Sequence, residues 1–196
     1  MIRQIYHLYK WLFAVAYSIA SIVVMRLHKV HYKNNPRIMN GVIQISNRGS
    51  IDLGEGVGFI NGTQGNFVGI NKSCSLCTCP GASIRIGDYS GFSGCSIYCA
   101  GSITIGNHCN FGGNVSIWDT DFHPLNYLDR RQHKIGAIKV APILIDDDVF
   151  VGANSMILKG VHIGARSIIG AGSVVTHSIP SDEIWAGAPA RFIRKA

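Results

Sequence analysis

Aliphatic side chains recur every six residues near the carboxyl end of this chain. Six residues advance an α-helix by about 600°, so these positions would not share one helix face. A short strand and a tight turn, repeated three times, place them instead inside a triangular coil of eighteen residues. The pattern predicts an all-β solenoid of parallel strands, and the series runs Ile145, Val151, Ile157, Ile163, Ile169 and Val175.

The six-residue step is also present upstream, in three blocks whose phase differs. Changes of phase indicate loops or bulges between coils. The blocks are Ile45, Ile51 and Val57; Val68, Cys74, Pro80, Ile86, Phe92 and Tyr98; and Ile105, Phe111 and Ile117. Residues eighteen apart are expected to stack, which gives the pairs Val151 on Ile169, Ile157 on Val175, Ile145 on Ile163, and Cys77 under Cys95.

The amino-terminal segment has helical periodicity, with a thin polar stripe and a wide apolar face opposite. The uncharged run from Trp11 to Met25 is shorter than the ~20 residues of a spanning helix. This amphipathic helix is expected either to lie in a membrane interface or to pack on the protein body or a neighbouring subunit. The stripe comprises Arg3, His7, Lys10, Ser18, Ser21, His28 and Lys29, and the apolar face includes Ile5, Leu8, Trp11, Leu12, Val15, Ile19 and Val23.

The six-residue rhythm is interrupted over residues 118–141, which predicts a loop excursion from the solenoid. Loops held by rigid scaffolds often carry function. This loop contains His123, and an imidazole that titrates near neutral pH suits removal of a proton from an attacking hydroxyl. Asp119 and Asp121 precede it at alternate positions, so in an extended strand either carboxylate could orient the imidazole. Both could equally be turn formers that bond local backbone.

Composition and charge narrow the class of protein. Hydrophobic residues make up 47% of the chain and charged residues 15%, which favours an oligomer or a membrane surface. The net charge is +7, but basic residues are not interleaved with aromatic residues over a continuous face, so no nucleic-acid partner is expected. The six cysteines lie between Cys74 and Cys109 without the spacing of a zinc site, and we expect buried free thiols and no bound metal.

These features resemble the left-handed β-helix, hexapeptide-repeat acyltransferase family, especially its maltose, galactoside and polysaccharide O-acetyltransferase branch. The match covers roughly residues 40–196, including the His123-Pro124 pair and the closing Trp185–Arg191 segment. The resemblance implies a left-handed parallel β-helix, a homotrimer with active sites between subunits, and acetyl-coenzyme A as co-substrate. It also implies direct transfer in a ternary complex, with His123 as the general base.

The resemblance assigns residues to the coenzyme as well. A pantetheine arm needs a groove of small side chains, and two Gly-Ala corners stack at the eighteen-residue spacing. In related enzymes the closing segment lies against coenzyme A, and basic residues near it would meet the nucleotide phosphates. Gly-Ala pairs also serve simply as tight corners. The expected contacts are Gly152, Ala153, Gly170, Ala171, His177, Pro189, Arg191, Arg194 and Lys195.

The acceptor is expected to be a sugar hydroxyl of a bacterial surface polysaccharide or its precursor, contacted by Trp118, Arg130 and His133. We expect a cytoplasmic protein, with possible contact of residues 1–30 with the inner face of the membrane. Open alternatives are an N-acetyltransferase of an amino sugar, a serine-type acetyltransferase, a γ-carbonic-anhydrase-like metal enzyme and a non-catalytic scaffold. The predicted organisation is a helical segment over 1–36, the β-helix over 37–180, and a closing segment with a basic tail over 181–196.

Overall fold

The computed structural model describes residues 2–62 and 67–196, without the side chains of Ile2, Ile5, Tyr6, His7 and Lys10. The predicted helix positions Ile5, His7 and Lys10 therefore lie outside the described side chains. A long helix, α1 (Ile2–Leu27), precedes a solenoid of short strands. A loop excursion from the solenoid holds a short helix, α2 (Tyr127–Arg131), and a 3-10 turn over Ile135–Ala137.

The strands form three sheets, one on each side of the coil. In chain order they are β1 (His31–Tyr32), β2 (Arg37–Met39), β3 (Gln44–Asn47), β4 (Ser50–Leu53), β5 (Gly58–Ile60), β6 (Ser75–Thr78), β7 (Ser83–Ile86), β8 (Gly91–Ser93), β9 (Ser96–Cys99), β10 (Ser102–Ile105), β11 (Asn110–Phe111), β12 (Ser116–Trp118), β13 (Ile143–Ile145), β14 (Phe150–Val151), β15 (Met156–Leu158), β16 (His162–Ile163), β17 (Ile168–Ile169), β18 (Val174–Val175), β19 (Glu183–Gly187) and β20 (Ala190–Lys195). The sheet orders are β1-β4-β7-β10-β13-β16, β2-β5-β8-β11-β14-β17-β19-β20, and β3-β6-β9-β12-β15-β18. From β1 to β18, each strand pairs in parallel with the strand three places later in the chain. The predicted fold class, a left-handed parallel β-helix, is confirmed.

The predicted stacking of the carboxyl-terminal coils is confirmed at each aliphatic pair. These coils have the expected eighteen-residue length, and their inward side chains are fully buried. The registers join Val151 to Ile169, Ile157 to Val175, and Ile145 to Ile163.

The predicted stack of Cys77 under Cys95 is wrong, because the middle coils are longer than eighteen residues. Cys77 pairs with Tyr98, twenty-one positions on. The extra residues also shift the six-residue phase: Val68 is 63% exposed, whereas Ile70 is buried. Of the positions predicted for this block, Cys74, Ile86 and Phe92 are buried in the core, whereas Val68, Pro80 and Tyr98 are not.

Aromatic rings fill part of the interior. Phe59, Phe92 and Phe111 belong to three successive strands of one sheet, and their rings stack with centroids 5.4 and 4.7 Å apart. Branched aliphatic side chains replace them toward the carboxyl end. A continuous apolar column therefore joins the coils, as expected of a solenoid whose single coils bury little alone.

Glycine at one corner of the coil is required by the coil stacked above it. A Cβ on Gly112 would lie 2.6 Å from the backbone nitrogen of Ala153, and one on Gly152 would lie 2.5 Å from that of Ala171. A Cβ on Gly170 would lie 2.8 Å from the Cβ of Ala186. The glycines that the sequence placed after core positions thus permit close approach of successive turns.

The solenoid extends beyond the predicted boundaries at its amino end. Strand β1, at His31–Tyr32, already pairs with β4, so the first coil begins before residue 37. At the other end, β19 pairs in parallel with β17, and β20 returns antiparallel along β19. This hairpin covers the final coil, in the place of the predicted closing segment.

Helix α1 packs on the first coils through the side of its carboxyl-terminal half that carries Ser18, Ser21 and Met25, not through the apolar face. Ser21 and Met25 are fully buried, whereas Trp11 and Ile19 are 60% and 58% exposed. The expectation that the apolar face packs on the protein's own body is therefore wrong for the described residues. Within the same residues, no helix is long and apolar enough to cross a membrane.

Buried serines at the corners satisfy backbone groups of the adjacent turn. The Ser167 hydroxyl donates to the Pro180 carbonyl at 2.7 Å and accepts from the Glu183 amide at 3.4 Å. Ser155 and Ser173 are equally buried and bond the Gly170 carbonyl. Serine at the fifth position of the repeat therefore links coils where strands leave backbone groups unpaired.

Replacement of Ser167 by alanine is expected to lower the free energy of unfolding by about 1–3 kcal/mol, because it leaves the partly buried Pro180 carbonyl and the buried Glu183 amide without their partner. Urea denaturation followed by circular dichroism measures this change. Ser181→Ala, at an exposed neighbouring serine, is the control and should stay within about 0.5 kcal/mol. Equal stability of the two variants would contradict the linking role.

Burial keeps the thiols of Cys74 and Cys109 protonated. All six cysteines are free, and Cys109 is fully buried with its Sγ donating to the Asp146 carbonyl at 3.0 Å. Burial raises the pKa of the Cys109 thiol from 9.0 to about 11, and it raises the pKa of Cys74 to a similar value. These thiols behave as small apolar core residues.

The raised thiol pKa values predict a loss of stability in alkali. An unfolded thiol loses its proton near pH 9, before the folded one does, so the stability it contributes is complete below that pH and is lost toward pH 11. The free energy of unfolding should fall over this range. Cys109→Ala should reduce the slope by up to about 1.4 kcal/mol per pH unit. Identical slopes for parent and variant in urea titrations would count against burial as the cause.

Candidate active site

The excursion leaves the solenoid after Trp118 and returns before Ile143 through a closed stem. Thr120 forms an antiparallel bridge with Val140. The Asp121 amide donates to the Lys139 carbonyl at 3.1 Å, and the Ala141 amide donates to the Asp119 carbonyl at 3.0 Å. The loop is therefore anchored at both ends by backbone hydrogen bonds.

Asp119 anchors the stem to the preceding coil. Its side chain is fully buried, and its two carboxylate oxygens accept from the Ala100 and Gly101 amides at 2.6 and 2.7 Å. The Cys99 thiol donates to the same carboxylate, and burial together with this negative charge raises the thiol pKa to about 12. The predicted role of Asp119 as the orienter of His123 is corrected to a structural one, because the adjacent coil uses both oxygens.

Asp121 pairs with a lysine that the sequence analysis did not single out. Its Oδ1 lies 2.6 Å from Nζ of Lys159, which follows strand β15, and both side chains are largely buried. Its Oδ2 is buried and has no hydrogen-bond partner among the described residues. Asp121 thus ties the loop to the next coil, and its role in orienting His123 stays a prediction.

The backbone between Asp119 and His123 is a turn and is not extended. Phe122 has φ +61°, in the left-handed region, and the His123 amide donates back to the Asp121 carbonyl at 2.7 Å. This tight turn reverses the chain. The three side chains therefore do not alternate along one strand, which is why Asp119 and His123 have separate environments.

Two aromatic residues hold the turn that carries His123. The Phe122 ring lies 4.8 Å from the Tyr98 ring and 5.6 Å from the Trp118 ring, edge-on to the latter. Trp118 was predicted to contact the acceptor, and the structure places it half-buried against Phe122. Its contribution to acceptor binding stays a prediction, but its packing role is explicit.

His123 and His133 line one cavity of about 270 Å³, although ten residues separate them in sequence. Both side chains are exposed, and Ile135 and Ile138 supply an apolar wall. Arg130 also lines this cavity and donates from Nη1 to the Pro124 and Leu125 carbonyls. The structure thus brings together three of the predicted site residues and gives Arg130 a second task, that of holding the loop backbone.

The two Gly-Ala corners stack as predicted and expose small side chains. Ala153 is half-buried and Ala171 is exposed, one coil apart. The Gly172 amide donates to the Ala153 carbonyl at 2.8 Å, which closes the corner. Gly152 and Gly170 are explained by coil packing alone, so only the alanine positions leave a smooth strip open to a ligand.

The basic residues of the closing hairpin differ in whether they are paired with an acidic side chain. Lys195 pairs with Glu183 at 2.8 Å, and this bond, with that from the Trp185 indole N–H, holds the pKa of Glu183 below its usual range. Arg191 and Arg194 are exposed and donate from Nη1 to neighbouring carbonyls. The two arginines therefore suit an anionic ligand better than Lys195 does.

Two further predicted coenzyme contacts lie at the surface. Pro189 is exposed in the turn between β19 and β20, and His177 is exposed with Nδ1 2.8 Å from the Thr176 hydroxyl. Over residues 2–62 and 67–196, no cluster of three His, Cys, Asp or Glu side chains is arranged to hold a metal ion.

Loss of the Asp121–Lys159 pair should loosen the loop stem. Lys159→Met leaves a largely buried carboxylate unpaired, at a cost of about 1–2 kcal/mol, or roughly tenfold faster amide exchange. Hydrogen exchange of peptides covering residues 119–142 measures it. Lys139→Met is the matched control, since Lys139 is an exposed lysine of the same stem. Equal exchange in both variants would show that the pair does not hold the loop.

Comparison with known proteins identifies the repeat. Residues 142–177 match the family model "Bacterial transferase hexapeptide (six repeats)". The chain is 42% identical to a galactoside O-acetyltransferase of Lactococcus lactis over 93 residues, which is 47% of this chain and 43% of the relative. The chain spans about half the length, or slightly less, of the first curated relatives it matches.

Solved structures share the architecture. A hexapeptide-repeat acetyltransferase from Vibrio cholerae, crystallised with acetyl-coenzyme A, superposes with a TM-score of 0.55 at 38% identity, over 60% of this chain and 63% of that one. An N-acyltransferase from Bacillus cereus shares the fold over 88% of this chain and 87% of that one, with a TM-score of 0.64 and 24% identity. With its coils and glycine corners, the chain has the hexapeptide repeat of the bacterial transferase family model over residues 142–177, and it shares the fold of these acyltransferases.

Proposed function

We propose that this protein is an acetyl-coenzyme A-dependent O-acetyltransferase that acetylates a sugar hydroxyl, in a bacterial surface polysaccharide or its precursor. The observation that carries the proposal is the exposed imidazole of His123, which lies at a cavity of about 270 Å³ on a loop anchored at both ends by hydrogen bonds. A cavity of this size suits one or two sugar rings. The similarity to a galactoside O-acetyltransferase supports an alcohol acceptor.

The coenzyme fits the strip formed by the alanine corners. Bulkier side chains at Ala153 and Ala171 would fill the space that a pantetheine arm needs. Neither amide is among the backbone donors of these corners, where Gly152, Asn154, Gly170 and Gly172 donate. Free amides on a smooth strip can bond the arm or a thioester oxygen, and the exposed guanidiniums of Arg191 and Arg194 can meet its phosphates.

His123 supplies the proton transfer that the reaction needs. A ring nitrogen takes the hydroxyl proton as the acceptor oxygen forms its bond to the acetyl carbon. The carbon–sulfur bond then breaks, and the imidazolium returns the proton to the leaving thiolate. Cysteine is not required as a nucleophile, and burial keeps Cys74 and Cys109 protonated.

The assembly proposed is a homotrimer with each site between two subunits. The His123 cavity is open in one chain, so a second chain can complete its walls. Leu144, Phe150 and Met156 expose 40%, 46% and 40% of their surfaces on the outer faces of the solenoid. Exposed apolar side chains of this kind favour contact between copies. The supply of acetyl-coenzyme A argues for activity in the cytoplasm.

His123→Ala should lower kcat by about 10²–10⁴-fold, the usual contribution of a general base. Mass spectrometry of galactosides and other hexosides incubated with acetyl-coenzyme A measures the product. Coenzyme A should still raise the melting temperature of the variant, because the alanine corners are unchanged. His108→Ala is the matched control: its ring stacks on Tyr89 at another corner, and activity should persist.

A different experimental result would contradict each part of the proposal. Full activity of His123→Ala would remove the base. Acetylation of 2-amino sugars alone would replace the alcohol acceptor by an amine. Failure of coenzyme A to shift the melting temperature of the parent would favour a non-catalytic scaffold.

A further inference from the structure

Helix α1 is attached to the solenoid by its hydrophilic edge. The Ser18 hydroxyl donates to the Ile38 carbonyl at 3.2 Å, and the Ser21 hydroxyl accepts from the Ile43 amide at 3.3 Å. Beyond the helix end, the Asn47 side-chain amide donates to the His28 carbonyl at 2.9 Å. These bonds fix which side of α1 faces the protein.

The opposite side presents an apolar ridge to the exterior. The ridge consists of residues that recur at steps of three and four positions and therefore share one helix face. Their exposed fractions are 57% for Leu8, 52% for Leu12, 37% for Val15, 58% for Ile19 and 49% for Val23. A surface helix in water normally shows the reverse arrangement, with its apolar stripe against the core. The ridge therefore requires a partner outside this chain.

The positive charge of the segment that contains α1 favours an anionic partner. The first acidic residue of the chain is Asp52, and seven basic residues precede it, so this segment accounts for the whole net charge of +7. One of the seven, Lys33, is paired with Asp88. Packing of two copies of α1 along this ridge would bring like charges together, whereas an anionic phospholipid surface would neutralise them.

The length and aromatic content of α1 fit a position along such a surface. At 26 residues it is about 39 Å long, and it does not qualify as a membrane-spanning helix. Trp11 lies at one edge of the ridge, and Tyr9 and Phe13, whose rings are 4.5 Å apart, lie along the other edge. Aromatic side chains of this kind favour the boundary between headgroups and acyl chains.

We propose that the ridge formed by Leu8, Leu12, Val15, Ile19 and Val23 docks α1 flat on an anionic phospholipid bilayer, with the serine edge turned to the solenoid. The acyl chains bury the ridge, and the basic residues of the segment contact the phosphates. The solenoid then stands on the membrane surface. This surface is separate from the His123 cavity, so the proposal is independent of the acetyl transfer.

Co-sedimentation of the full chain with vesicles tests the docking. The parent should bind vesicles of phosphatidylcholine with 30 mol% phosphatidylglycerol at least tenfold more strongly than pure phosphatidylcholine, with the ratio falling as salt is raised. Ile19→Glu should lower the partition constant about tenfold or more, because it places a charge at the centre of the ridge. Ala14→Glu makes the same change of charge on the serine side of the helix and should lower it far less.

Three results would overturn the proposal: absence of parent binding to anionic vesicles, equal binding to both vesicle types, or equal losses in the two variants. If Ile19→Glu instead breaks a higher oligomer, measured by light scattering without vesicles, the ridge covers a second copy. Ile19 is exposed, so the melting temperature of its variant should match that of the parent. This control separates loss of docking from loss of folding.

Discussion

Parallel backbone hydrogen bonding between successive coils is the constraint on which the rest of this structure depends. Neighbouring strands in a sheet lie only about 4.8 Å apart, so the corners of the coil must approach as closely as the strands do. Where a corner side chain would point at the next turn, glycine is needed, as Gly152 shows beneath Ala171. Where strands end, buried hydroxyls such as that of Ser167 replace the missing partners. The six-residue repeat in the sequence follows from this close spacing of successive coils.

The same constraint gives the site its rigidity. An excursion from such a scaffold must leave and re-enter at fixed points, and here its first residue after the strand, Asp119, bonds backbone amides of the preceding coil. Asp121 reaches the following coil through Lys159. The turn at Phe122 is then held by rings on the outer face of the sheet. His123 follows these anchors directly, so its position is set by three coils rather than by the loop alone.

Helix α1 shows that an amphipathic pattern gives no direction by itself. The polar stripe and the apolar face are both present in the sequence, and the ordinary expectation turns the apolar face inward. Ser18 and Ser21 instead bond backbone groups at the start of the solenoid, and Met25 on the same side of the helix is buried in the core. The apolar face is left exposed on this chain.

The sequence by itself determined the coil, the stacked pairs from Ile145 to Val175, and the place of the histidine-bearing loop, because periodicity and its interruption are local properties of a chain. Only the tertiary structure decided that Cys77 lies beside Tyr98, because each residue inserted into the intervening coil shifts the strand register by one position. It also decided that Asp119 serves the scaffold and that Lys159 joins the loop. Such contacts join residues about forty positions apart that become neighbours only when coils stack. A local sequence pattern does not show which residues these are.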